Sequence, residues 1–360
     1  MKNKISKSNL ENNNSISSKD NIYLNIKTIL EEARNKAWRA VNFEMVTAYW
    51  NIGKVIVEEE QKGQKRAEYG AKLIKFLSEK LTNDFGKGYT VNNLWYMKQF
   101  YNTYQNLHAL RGELSWTHYR LLLHVENQDA RSFYEIETVN NKWSTRELDR
   151  QICSLLFERL VLSNKGATAK ELASKGQVIE EPKDLIKDPY VLEFLELKEN
   201  KNVLEKDLED ILITKLKHFI LELGKGFSFV ERQKRISVDG DHYYVDLVFY
   251  NYILKCFFLI DLKTKKLSHE DIGQMDFYVR YFEAEIKGKD DNSTIGLILC
   301  SEKNKAMVKY TLLSDPKNNQ IFASKYKSVL PSKEELEKQL VTEREKLEIE
   351  NKFKFEQNHI

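Results

Sequence analysis

The chain reads as an α+β protein: a helical N-terminal domain, followed by an α/β domain on a mixed central sheet. Three observations predict this. Apolar residues recur at helical spacing from Ile22 to about Leu162, as in Tyr23, Ile26, Ile29 and Leu30, then Ala40, Phe43, Val46, Tyr49 and Trp50. After Leu223 the pattern changes to short alternating and β-branched runs. All five tryptophans, Trp38, Trp50, Trp95, Trp116 and Trp143, fall in the helical part. A chain of 360 residues also exceeds the usual size of one hydrophobic core, so two domains are expected.

Taken in order, residues 1–20 are Asn, Ser and Lys with little to bury and are expected to be a disordered lead. Residues 21–162 are expected to form a helical domain that binds nucleic acid or a partner, with the tryptophans in its core. Within it, Tyr89 to Gln99 suits a Thr90-capped helix. Two readings stay open there: a helix-turn-helix or winged-helix-like reader of nucleic acid, and a plain capped amphipathic helix. Residues 163–189, rich in Lys, Ala, Gly and Glu, are expected to be a linker. In the domain spanning 190–332, Leu204, Leu208, Ile211, Leu212, Leu216, Phe219, Ile220 and Leu223 predict one amphipathic helix of about five turns ending at Gly224. A three-strand meander follows, Phe227 to Val238, Tyr243 to Tyr250 and Leu254 to Lys263, turning at Asp239-Gly240 and Asn251-Tyr252. Helical spacing returns from Asp271 to about Ile286, a buried strand is expected from Thr294 to Cys300, a helix from Lys303 to Leu312 and a short strand from Gln320 to Ala323. Residues 333–360, rich in Glu and Lys, are expected to form a charged helix.

Composition excludes several classes. With 41% hydrophobic and 31% charged residues, the chain has enough apolar material for packed cores, so wholesale disorder is not expected. The net charge of +3 is too small to identify a polyanionic partner by itself. Cys153, Cys256 and Cys300 lack the spacing of a zinc site or a disulfide framework and are expected to be buried thiols. No apolar run approaches the roughly 20 residues that span a bilayer, and the N-terminus lacks a signal-peptide core. A cytoplasmic protein without membrane contact is therefore expected.

The chemistry lies in the meander. Asp246 stands among Tyr244, Val245, Leu247, Val248 and Phe249, where a charge is costly unless paired or bound to metal. On the next strand the run Cys256 to Ile260 ends in Asp261-Leu262-Lys263, and period-2 geometry puts Asp261 and Lys263 on one face. Neighbouring strands in a hairpin place Asp246 beside Asp261. Phosphodiester hydrolysis requires charge neutralisation at the phosphate and a lowered pKa for the attacking water, and a carboxylate-held divalent cation supplies both. Oxygen ligands suit Mg2+, with Mn2+ substituting, rather than zinc. Lys263 would orient the water or stabilise charge on the phosphorane, and the carbonyl of Leu262 is a further ligand candidate.

This arrangement resembles the PD-(D/E)XK nuclease superfamily. Phe219 to Gln233, Tyr244 to Tyr250, Leu254 to Lys263, Ile272 to Tyr278 and Ile295 to Cys300 are similar to the restriction-endonuclease-like domain of bacterial YhcG-like proteins. Trp116-Thr117-His118 and Trp143 to Leu148 are similar to their helical N-terminal domain. The resemblance implies metal ligation by Asp246 and Asp261, catalysis by Lys263, a supporting helix acid at Glu209 with Glu205 as the alternative, and contact of Gln274 with the scissile phosphate or its water. Gln233 is a further candidate for contact with nucleic acid. Val245 precedes Asp246, so the literal Pro-Asp is absent.

Acid-x-Lys triplets are common in so charged a chain, and alone this one would be an ion pair in a protein that keeps a nuclease fold as a nucleic-acid-binding scaffold. Asp246, the helix acid and Gln274 favour a metal-dependent endonuclease, with DNA the expected substrate and structured RNA the alternative. Lys98, Arg120 and Arg146 are the expected phosphate contacts of the helical domain. His118 is weighed between phosphate contact and a structural role. Cutting both strands would favour a homodimer, and a fragment from about Lys183 is expected to fold by itself.

Overall fold

The computed structural model describes residues 18–62, 67–107, 110–163, 169–196, 204–303 and 320–332. The helix expected at Lys303 to Leu312, the charged helix of 333–360 and most of the lead lie outside them. The described chain is divided into two compact units, residues 1–123 and 124–360.

The first unit is helical. Helix α1 (Ser18–Lys62) continues through both sequence segments read as helical and is followed by α2 (Ala67–Phe85), α3 (Val91–Thr103) and α4 (Trp116–Leu122). Thr90 caps α3 by accepting from the Asn93 amide at 3.3 Å, as its sequence suggested. Ile56, Ile74, Leu94 and Met97 form the core where α1, α2 and α3 meet. The α1–α3 crossing is close: a Cβ on Gly53 would lie 2.0 Å from the Met97 carbonyl oxygen. Only part of the tryptophan set is in a core. Trp50 is buried and Trp116 donates to Asn93, whereas Trp38 and Trp95 are exposed.

The second unit opens with α5 (Gln128–Asn141), α6 (Thr145–Cys153), α7 (Leu156–Ser163) and α8 (Ala169–Lys175). The short β1 (Tyr190–Val191) precedes α9 (Glu205–Thr214) and α10 (Leu216–Leu223). The single five-turn helix expected here is two helices. The Thr214 hydroxyl bonds back to the Asp210 carbonyl at 2.9 Å, a contact that bends helices, and Lys215 leaves helical geometry at φ −102°, ψ 25°. Gly224 ends α10 at φ 110°, a conformation that favours glycine.

The meander is β2 (Phe227–Val238), β3 (Asp241–Asn251) and β4 (Cys256–Lys266). Both residues of its first turn, Asp239 and Gly240, have positive φ, which suits the right-handed twist of a tight hairpin. Then come α11 (His269–Tyr281), continued by a π-helical turn at Phe282–Ile286, and β5 (Ile295–Glu302) and β6 (Ile321–Lys327). The sheet order is β1-β6-β5-β4-β3-β2; β2, β3 and β4 pair antiparallel, while β4, β5, β6 and β1 pair parallel. The mixed sheet expected from sequence is therefore present. Phe219, Leu247, Phe258 and Ile260 pack on the α9–α10 face, and Val245, Leu259, Met275 and Ile298 on the α11 face.

Charges bind α6 and α7 into this unit. Glu222 of α10 is fully buried and accepts from Arg159 at 2.5 Å, from the Val191 amide at 2.8 Å and from Arg150 at 3.3 Å. Arg150 also pairs with Glu193 at 2.8 Å, and the buried Lys187 ammonium donates to the Glu222 carbonyl. Lys187 and its neighbours lie in the stretch read from sequence as a linker; Leu185 and Lys187 are buried there. Cys256 and Cys300 are buried free thiols, but Cys153 is exposed at the end of α6. No helix among the described residues is long and apolar enough to cross a membrane.

Candidate active site

Where β3 and β4 part, the two strands deliver three charged side chains to one place. Their paired register ends at Leu247 and Ile260. One residue further, the Asp246 carboxylate accepts from the Leu262 amide at 2.8 Å, so a side chain replaces the backbone partner at the fork. Leu262, whose carbonyl the sequence reading offered as a ligand, is buried and paired with Leu299 of β5. Asp261 and Lys263 alternate with it, and the Lys263 ammonium lies 2.8 Å from Asp261.

Asp246 and Asp261 stand close enough to repel, so each disfavours ionisation of the other. Burial, then repulsion from Asp246, pushes the Asp261 carboxyl up, against the pull of Lys263. Asp246 is also raised by burial, with the Leu262 amide and Lys263 opposing. Burial works against the Lys263 ammonium, yet Asp261, Glu205 and Asp246 outweigh it and hold its pKa above that of an ordinary lysine. It is a permanent cation at neutral pH.

Both helix acids reach this end of the sheet. Glu209 is buried on α9, accepts from the Gln233 amide at 2.6 Å and has Arg232 3.2 Å away. Burial raises its pKa, and Asp246 adds to the rise against the Gln233 bond. Glu205, one turn earlier, accepts from the Thr264 amide at 3.2 Å. On α11, Gln274 accepts from Lys263 at 3.4 Å and donates to the Tyr278 hydroxyl at 2.5 Å; that hydroxyl donates to the Tyr244 carbonyl at 2.8 Å. Tyr278 was not singled out from sequence, although its spacing four residues after Gln274 puts both on one helix face.

The donor set fits a hard divalent cation. Asp261 Oδ2 and Glu209 Oε1 are buried oxygens that accept no hydrogen bond of regular geometry and face only cationic side chains, Lys263 at 2.8 Å and Arg232 at 3.2 Å, so both stand where positive charge is held. Among the described residues no three acidic, His or Cys side chains form a ready-made cage. Mg2+ commonly takes one or two carboxylates, completes its shell with water and substrate phosphate, and needs no cage.

The remaining candidates are elsewhere in the chain. Lys98 on α3 pairs with Glu60 at 2.6 Å and lies over the Trp95 ring; Arg120 on α4 stacks over Tyr96 at 4.6 Å. Arg146 is exposed on α6 in the second unit. His118 has a structural place: its Nδ1 accepts from the Ser115 amide at 3.2 Å, closing the capping box of α4.

Comparisons with known proteins bear on most of the chain. Residues 183–341 match the YhcG PDDEXK nuclease domain and residues 25–159 the DUF1016 N-terminal domain. YhcG of Escherichia coli (strain K12) is 38% identical over 345 residues, which cover 87% of this chain and 91% of the relative. Among solved structures, a repair endonuclease from Pyrococcus abyssi matches with TM-score 0.26 and 17% identity over 38% of this chain and 50% of that chain. The complex of EndoMS with double-stranded DNA matches with TM-score 0.25 and 15% identity over 38% and 51%. Overlaps this slight carry no argument about the fold.

Proposed function

Because the chain belongs to the YhcG family, whose C-terminal domain is a PDDEXK nuclease, we propose that it is a Mg2+-dependent endonuclease acting on DNA at Asp246, Asp261 and Lys263. The observation that carries this reading is the joining of two desolvated carboxylates to a permanently charged ammonium at the β3–β4 fork. A scaffold has no use for such an arrangement, since a buried like-charged pair costs stability.

Asp246 and Asp261 would hold the cation, with the Leu262 carbonyl and Glu209 as further ligand candidates. When bound, it neutralises phosphate charge and lowers the pKa of water. Lys263 donates to the developing charge on the phosphate or to the attacking water. Gln274, fixed by Tyr278, orients the Lys263 ammonium and presents its amide at the same place. Lys98, Arg120 and Arg146 would add phosphate contacts whose affinity falls with salt, with Lys98 exchanging Glu60 for phosphate.

One centre cuts one strand, so cutting a duplex through favours a homodimer. The exposed row Ile22, Ile26, Ile29 and Leu30 on α1 supports self-association. The test compares duplex, branched and single-stranded DNA with structured RNA, in Mg2+ and in EDTA. Cleavage of DNA in Mg2+ only is expected; cleavage of RNA alone would reassign the substrate, and binding without cleavage would favour a scaffold.

A further inference from the structure

Gln233 occupies a place that its strand does not provide by default. It lies within β2, yet its backbone is in the left-handed region at φ 48°, where residues other than glycine are uncommon. The β2–β3 register brackets it, Arg232 pairing with Leu247 and Lys234 with Val245, so Gln233 stands opposite Asp246. A left-handed residue in a strand is strained and persists only where its surroundings determine it. Here its side chain supplies the reason. The amide nitrogen donates to Glu209 at 2.6 Å and to Asp246 at 3.1 Å, spending both of its hydrogens on two acids from different elements.

From this geometry we infer that Gln233 is a positioning residue that ties Glu209 to Asp246 and so decides which helix acid joins the metal-binding set. The inference rests on the nuclease reading and deepens it. Glu209 and Asp246 repel each other, and a neutral group with two donors joins them without adding charge. Bonds to ionised acceptors are the stronger kind. Glu205 has no such link: its oxygen is engaged by the Thr264 amide. With both hydrogens spent, Gln233 has only its carbonyl oxygen to turn toward a phosphate, and that oxygen is an acceptor. Its part is therefore in holding the acids and not in gripping nucleic acid.

The test uses the full chain with Gln233→Asn and Gln233→Gly, both of which tolerate left-handed backbone while losing the reach to one or both acids. Mn2+ binding is measured by titration calorimetry without nucleic acid, beside kcat and KM for DNA cleavage and thermal melting. Mn2+ affinity is expected to fall by about tenfold or more, as for loss of other groups that orient metal ligands. The kcat should fall with it, while KM and the melting temperature stay near wild type. Unchanged Mn2+ affinity in both variants would overturn the inference while leaving the nuclease reading intact. A rise in KM with unchanged Mn2+ affinity would give Gln233 to the substrate. A wild-type protein that binds no Mn2+ would overturn the inference together with the reading beneath it.

Discussion

The Leu262 amide donates to the Asp246 carboxylate at 2.8 Å, so one side chain both completes the sheet at its fork and faces Asp261. The two tasks are separable by substitution. Asp246→Asn keeps an acceptor for the amide and should melt near wild type while losing about a thousandfold or more in cleavage, roughly 4 kcal/mol of barrier. Asp246→Ala also strands the amide and should lose a further 1–3 kcal/mol or so of stability. Urea melts beside cleavage rates check both; equal cleavage by Asp246→Asn and wild type would remove Asp246 from the chemistry.

Tyr278→Phe deletes the hydroxyl that receives the Gln274 amide and reaches the Tyr244 carbonyl. Gln274 would then turn freely beside Lys263. Cleavage should fall by about tenfold, toward the lower end of the range for loss of an orienting partner, with Mn2+ affinity unchanged. Gln274→Ala should fall at least as far, and the double variant no further than Gln274→Ala. Additive losses in this cycle would show that the two residues act independently.

The Glu222 cluster predicts a pH dependence of stability. Burial alone pushes this carboxyl up, but Arg159, Lys187 and Arg150 outweigh it and hold its pKa at about 2. A carboxyl depressed in the folded state stabilises above its unfolded value, about 4.3 for glutamate, and loses that contribution as pH falls through the folded value. Glu222→Gln, which leaves Arg159 buried without its counter-charge, should cost about 3–5 kcal/mol at pH 7. Measured by denaturant melts, the gap between wild type and variant should narrow below about pH 4. A gap constant from pH 7 to pH 3 would contradict the assignment.

The same cluster sets where the second unit can be cut. A fragment from Lys183 removes Arg150 and Arg159 and leaves Glu222 buried without them, so it should fold poorly, contrary to the sequence expectation. A fragment from His124 keeps α5 to α8 and should fold cooperatively. Circular dichroism melts of the two fragments check this; equal stability would mean that the buried ion pairs contribute little.

Much of the candidate site was legible because its charges interrupt apolar strands: Asp246 among Val245, Leu247 and Val248, and Asp261 after Leu259 and Ile260. The meander was legible from Asp239-Gly240 and Asn251. Less visible were features set by three-dimensional pairing. The left-handed turn at Gln233 has no signature in residue type, and the break at Lys215 depends on a hydroxyl bonding back along its own helix. Nothing in the sequence marks Arg159 and Glu222 as partners, since they meet only where α7 packs near α10. Trp38 and Trp95 read as core and are exposed, because helical spacing does not say which face is covered.

Asp261→Ala tests the central claim most directly, since Asp261 is the buried carboxylate joined to both Asp246 and Lys263. The measurement is the rate of nicking of supercoiled DNA in Mg2+ by wild type and variant, with melting temperature and DNA affinity recorded on the same preparations. The account predicts loss of about a thousandfold or more in rate, unchanged DNA affinity, and a melting temperature at or above wild type, because a desolvated charge has been removed. Wild-type nicking rates in a well-folded Asp261→Ala protein would contradict it.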